Sequence, residues 1–99
     1  MIDFIFLGDS LTFGYGVKPK DNWVHKLSEY LKLNILNKGV NGNTTTDMLF
    51  RFYEDVVSNS PKSLFIMGGT NDLLSNRPVS KIIENMEVMI KEAFAKNIT

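Results

Sequence analysis

Three short apolar runs alternate along this chain with three longer stretches in which apolar residues recur at helical spacing. The first run, Ile2 to Leu7, is rich in Phe and Ile and closes on Gly8. Near-continuous apolar character of this kind suits a strand covered on both faces. A shorter run, Asn34-Ile35-Leu36-Asn37, predicts a second strand, and Ser63 to Met67 predicts a third. The third is announced by the turn-forming Ser58-Asn59-Ser60-Pro61-Lys62 and closed by Gly68-Gly69.

The helical stretches lie between and after these runs. Trp23, Leu27, Tyr30 and Leu31 share one helical face, following a cap at Asp21 or Asn22. Leu49, Phe52, Tyr53 and Val56 repeat the pattern after Thr44-Thr45-Thr46-Asp47. The last is the clearest: Val79, Ile82, Ile83, Met86, Ile90, Ala93 and Phe94 make an apolar stripe, with Pro78 at the first turn. The order β-α-β-α-β-α predicts an α/β domain with a parallel sheet and right-handed crossovers. The sequence ends Lys96-Asn97-Ile98-Thr99, where the alternation calls for a fourth strand. Residues 1–99 are therefore expected to form the N-terminal part of a single domain. Leu64, Phe65, Ile66 and Met67 would be costly to leave open along an edge, so that edge is expected to pair, a homo-oligomer being one way.

Composition narrows the function. Ninety-nine residues make one small domain at most. Eleven basic residues offset eleven acidic ones, which leaves no electrostatic footprint for nucleic acid or for an anionic membrane surface. The absence of cysteine excludes a disulfide framework and any thiolate metal site. At the N-terminus an acid occupies position 3 and the apolar run stops at Leu7, unlike a secretory signal. No stretch is long enough for a membrane span. A soluble cytoplasmic protein is expected, with neither a membrane nor a nucleic acid as partner.

Ligands of an open parallel sheet bind outside the carboxyl ends of its strands. Three segments follow the predicted strands: Gly8-Asp9-Ser10-Leu11, Asn41-Gly42-Asn43-Thr44 and Gly68-Gly69-Thr70-Asn71-Asp72. Acyl transfer needs a nucleophile and donors aimed at a developing oxyanion. Ser10 lies at a strand-to-helix junction that would expose its hydroxyl, and its own N–H can point the same way. Gly42 lacks a side chain that would keep a substrate oxygen from the backbone. Asn71 brings a neutral side-chain N–H₂ donor.

Other features have plainer readings. His25, the only histidine, is flanked by Lys26 and lies off the helical stripe, so it is expected on the surface. Asp9 and Asp72 are too few for a hard-cation site and are expected to brace their own loops through backbone N–H groups. Gly14-Tyr15-Gly16 lacks the third glycine of a dinucleotide loop, Pro19 standing there instead. Gly8-x-Ser10-x-Thr12 is not the G-x-S-x-G elbow of α/β-hydrolases. Met86, Met89, Phe50, Phe52 and Phe94 are read as core filling.

Gly8-Asp9-Ser10-Leu11 with Thr12-Phe13-Gly14-Tyr15-Gly16 resembles block I of the SGNH hydrolases, also called GDSL esterases. Asn37 to Thr44 resembles their block II, and Gly69-Thr70-Asn71-Asp72 their block III. The resemblance implies a flavodoxin-like α/β/α fold with strand order 2-1-3. It also implies hydrolysis of small esters, thioesters or lysophospholipids without a cofactor. Ser10 would be the nucleophile, and Gly42 and Asn71 would join Ser10 N–H in the oxyanion hole. The family's last block, Asp-x-x-His, has no match here. A serine without the histidine base is a poor nucleophile, so this chain alone is expected to be close to inactive. A half-site completed by a second chain and a pseudo-esterase that only binds ligand are the alternatives.

Overall fold

The three apolar runs become three strands, which the computed structural model of all 99 residues pairs into one parallel sheet. β1 spans Phe4–Gly8, β2 Ile35–Gly39 and β3 Ser63–Met67, in the order β2-β1-β3. Phe4 lies opposite Ile35 and Ser63, and Gly8 opposite Gly39 and Met67. All three strands therefore finish level. The α/β class and the 2-1-3 order are those expected from the sequence. β2 runs further than its apolar pair, through Lys38 and Gly39, because an edge strand held by one partner tolerates polar positions.

Side chains alternate along β1, so its two faces meet different layers. Ile5 and Leu7 enter a core with Met48, Phe52, Val56, Met89, Ala93 and Ile98. Those partners belong to α3 (Thr45–Phe50), α4 (Phe52–Asp55), α6 (Val79–Ala95) and the segments that follow them. Phe6 turns the other way, its ring centroid 5.5 Å from that of Trp23 and 4.7 Å from that of Phe65. Trp23 opens α2 (Trp23–Leu31), the helix of that face. Two more short helices, α1 (Ser10–Phe13) and α5 (Thr70–Leu74), start from the ends of β1 and β3.

The helices settle one open choice, the cap of α2, and differ from expectation in three ways. Asn22 is the cap of α2, its side chain accepting from Val24 N at 2.7 Å, while Asp21 sits in the preceding 3₁₀ turn. α2 buries Val24, packs Trp23 on Phe6 and leaves Tyr30 84% exposed, so its inward face departs from the predicted stripe at Tyr30. The pattern over residues 45–56 is two helices, broken at Arg51, whose φ/ψ of −100/8° is not helical. α6 has the expected extent, but it buries Asn85, Met89 and Ala93 and leaves Val79, Ile83, Ile90 and Phe94 exposed.

The outer edge of β3 is partly occupied by the chain itself. Thr99 N donates to Lys62 O at 3.2 Å and Thr99 O accepts from Leu64 N at 3.0 Å, one rung of a parallel ladder. Beside it, Leu64, Ile66, Met86, Ile90, Phe94 and Ile98 line an open apolar groove of about 370 Å³. No helix is long and apolar enough to cross a membrane.

Candidate active site

Where β1 ends, the chain passes at once into α1. Asp9 is buried and its carboxylate accepts from Leu11 N at 3.0 Å, capping the helix that Ser10 begins. A helix of four residues cannot satisfy its own carbonyls. Side chains from outside do so: Trp23 Nε1 donates to Leu11 O (2.8 Å), Asn37 Nδ2 to Thr12 O (2.8 Å) and Asn22 Nδ2 to Phe13 O (2.5 Å). β2 also abuts α1, since a Cβ added at Gly39 would lie 2.2 Å from Phe13 N. Ser10, itself half-buried, thus stands on a helix fastened from two sides.

The loop after β2 carries Gly42. Its φ of +78° is the left-handed conformation that favours glycine, and a Cβ there would meet nothing within 4 Å. The glycine is required by the backbone bend, and the space beside it is open. The loop ends in a capping box, in which Thr44 Oγ1 accepts from Asp47 N at 3.2 Å and Thr44 N donates to Asp47 Oδ2 at 3.0 Å. That bond from Thr44 N holds the Asp47 carboxyl below its ordinary pKa, opposed by slight burial. The Thr44 hydroxyl and the charges of Arg77 and Arg51 add to the lowering.

The loop after β3 reaches back to the loop after β2. Asn71 Nδ2 donates to Asn43 O at 2.9 Å, one residue beyond Gly42. Asp72, fully buried, accepts from Thr45 N at 2.8 Å and from Thr45 Oγ1 at 2.6 Å. Asn85 Nδ2 of α6 donates to the same Thr45 hydroxyl at 3.0 Å. From the sequence, Asp9 and Asp72 are each expected to brace its own loop. Asp9 holds that role; Asp72 instead clamps the start of α3, because the level strand ends bring the two loops together.

Arg51 escaped the sequence reading altogether. Its guanidinium donates to Gly8 O (2.9 Å), Lys38 O (3.0 Å), Asn43 Oδ1 (2.8 Å) and Asp55 Oδ2 (2.6 Å). The available signal was a lone arginine between Phe50 and Phe52, four residues before an aspartate. His25 lies on the exposed side of α2, with Nε2 2.9 Å from Glu29 Oε1.

Ser10, Gly42 and Asn71 thus lie just past the ends of the three strands on one rim, Ser10 opening α1 and Asn71 in the first turn of α5, and hydrogen bonds join the segment after β3 to the one after β2. The model of the GDSL-like lipase/acylhydrolase family matches residues 6–99. The chain belongs to this family. It is 43% identical over 104 residues to a Bacillus subtilis protein described as uncharacterized lipoprotein YqeF, covering 92% of this chain and 43% of that one. It is 30% identical over 91 residues to an arylesterase of Vibrio mimicus, covering 87% of this chain and 46% of that one. Among solved structures it is similar to AlinE4, an SGNH-hydrolase family esterase. The TM-score is 0.88 and the identity 29%, over 99% of this chain and 56% of that one. The chain thus spans less than half the length of these two curated relatives and 56% of AlinE4.

Proposed function

We propose that these residues are the nucleophile and oxyanion half of a serine ester hydrolase. The observation that carries the reading is the bond from Asn71 Nδ2 to Asn43 O, which ties a side-chain donor to the loop of Gly42 on the rim where Ser10 begins α1. Only one of the two Asn71 N–H groups is used in that bond; the other is free to face a substrate oxygen.

In the reaction, Ser10 Oγ attacks the ester carbonyl carbon and its proton passes to a base. The carbonyl oxygen becomes an oxyanion held by Ser10 N–H, Gly42 N–H and the second Asn71 N–H. Collapse expels the alcohol, which takes the proton from the base and leaves an acyl-serine that water hydrolyses by the same steps. The only histidine, His25, is engaged with Glu29 on α2, so the reading assigns the base and its acid to residues outside these 99. Small esters, thioesters and lysophospholipids are the substrate class, and no cofactor takes part.

The test compares the 99-residue chain with a longer chain carrying the same residues followed by an Asp-x-x-His block, using p-nitrophenyl acetate. The longer chain should hydrolyse the ester and lose about 1,000-fold or more in kcat on Ser10→Ala. The short chain should stay near the buffer rate. An undiminished rate in Ser10→Ala would refute the nucleophile, and Ser10-dependent turnover by the short chain would refute an external base.

A further inference from the structure

Two of the proposed oxyanion donors hang on one residue. Asn43 follows Gly42 directly, its N–H closes the turn onto Val40 O at 3.2 Å, and its carbonyl holds Asn71 Nδ2 at 2.9 Å. What holds Asn43 is its side chain, whose Oδ1 accepts from Arg51 Nε at 2.8 Å. The remaining Arg51 nitrogens reach the ends of β1 and β2: Gly8 O, two residues before Ser10, at 2.9 Å, and Lys38 O, two residues before Val40, at 3.0 Å.

We infer that Arg51 is the positioning residue of the site, setting Gly42 N–H and Asn71 Nδ2 relative to Ser10 through Asn43. The inference rests on the reading of Ser10, Gly42 and Asn71 given above. Arg51 touches none of the reacting atoms. It fixes the distances among the elements that carry them.

The chemistry suits the task. Three acceptors in different directions plus a carboxylate need a planar, permanently charged fork, which a lysine cannot imitate. Bonds from a charged donor are about twice as strong as neutral ones, and the Arg51 side chain is only 18% exposed, which limits competition from water. Asp55, at 2.6 Å, offsets the guanidinium charge and fixes the rotation of the fork. The sequence serves the same end: the break between α3 and α4 falls at Arg51, letting its side chain reach the strand ends from within an otherwise apolar stretch.

The experiment uses Arg51→Lys, Asn43→Ala and the double variant in the longer chain described above, each checked for folding by thermal melting. For p-nitrophenyl acetate, Arg51→Lys should lower kcat by about tenfold to a hundredfold, the order expected when a reacting geometry shifts by about an ångström. KM should change by less than about threefold, since ground-state contacts are untouched. Asn43→Ala should show a loss of similar size. The double variant should be no worse than the weaker single, because the two act in series. A folded Arg51→Lys protein with unchanged kcat, or additive losses, would overturn the inference. A second readout does not depend on activity. In the 99-residue chain, nuclear magnetic resonance should show the Gly42 amide and the Asn71 side-chain N–H₂ shifting in Arg51→Lys while the amides of Ile5, Phe6 and Leu7 stay in place. Unmoved Gly42 and Asn71 signals would also overturn it. If Ser10→Ala left turnover intact, the catalytic reading would fail by itself, and these signals would still decide whether Arg51 holds the two groups.

Discussion

Around Ser10 the chain is held by polar side chains that cross from one element to another: Asn22, Asn37, Arg51, Asn71, Asp72 and Asn85 all bond outside their own helix or strand. Along the outer side of β3 and α6 the surface is Leu64, Ile66, Met86, Ile90 and Phe94, with one ladder rung to Thr99. The two regions are stabilised by different kinds of force. Hydrogen bonds are directional and lose most of their strength when bent, so the rim has one geometry. Apolar burial depends on area and not on direction, so the groove offers unspent burial energy without fixing what should cover it. The positions of Ser10, Gly42 and Asn71 are therefore written into these 99 residues, independent of the groove.

Breaking the rim should cost most at Asp72. Asp72→Ala leaves Thr45 N–H and the Thr45 hydroxyl without their buried acceptor, a loss of about 2–4 kcal/mol. The urea midpoint should fall accordingly; a change below about 1 kcal/mol would mean the clamp between the loops is not stabilising. Next comes Gly39→Ala, which drives a methyl into the backbone of Phe13. Overpacking of this kind costs about 1–3 kcal/mol, also read from the urea midpoint.

Asp47→Asn weakens only the capping box, a loss of about 1 kcal/mol or less. Its pH dependence is specific. Because the folded pKa of Asp47 is lowered, its contribution is complete above the ordinary aspartate value of about 3.9 and is lost as pH falls through the lower folded value. The stability gap between the native chain and Asp47→Asn should therefore close below about pH 4; a gap that widens on acidification would contradict the assignment. The smallest effect belongs to the groove. Phe94 is 68% exposed, so Phe94→Ser should change the stability of the monomer by no more than about 0.5 kcal/mol. A loss above about 2 kcal/mol, seen only at protein concentrations where sedimentation shows association, would reveal that the groove is covered by a second copy.

The parts legible in the sequence were those with enough length to show a period. β3 and the 17 residues of α6 declare themselves by apolar content and spacing, and the parallel sheet followed from the alternation of strands and helices, whereas the strand order came from the family resemblance. α1 and α5 were not legible, since four or five residues cannot complete a repeat and such helices exist only because their ends are capped from elsewhere. The inward face of α2 was misread at Tyr30, which counts as apolar in the pattern yet keeps its ring in water. At the site, Ser10, Gly42 and Asn71 could be picked out by residue type at a strand end. Arg51 could not, because, Asp55 aside, its acceptors are two backbone carbonyls and an asparagine 8 to 43 residues away, which no local pattern records.

Covalent capture decides whether Ser10 is the nucleophile. A longer chain carrying these residues and an Asp-x-x-His block is treated with a fluorophosphonate, and the adduct is located by mass spectrometry of the digested protein. One adduct per chain is expected, on Ser10, forming in step with the loss of p-nitrophenyl acetate hydrolysis. An adduct on another residue, or full loss of hydrolysis with Ser10 unmodified, would contradict it.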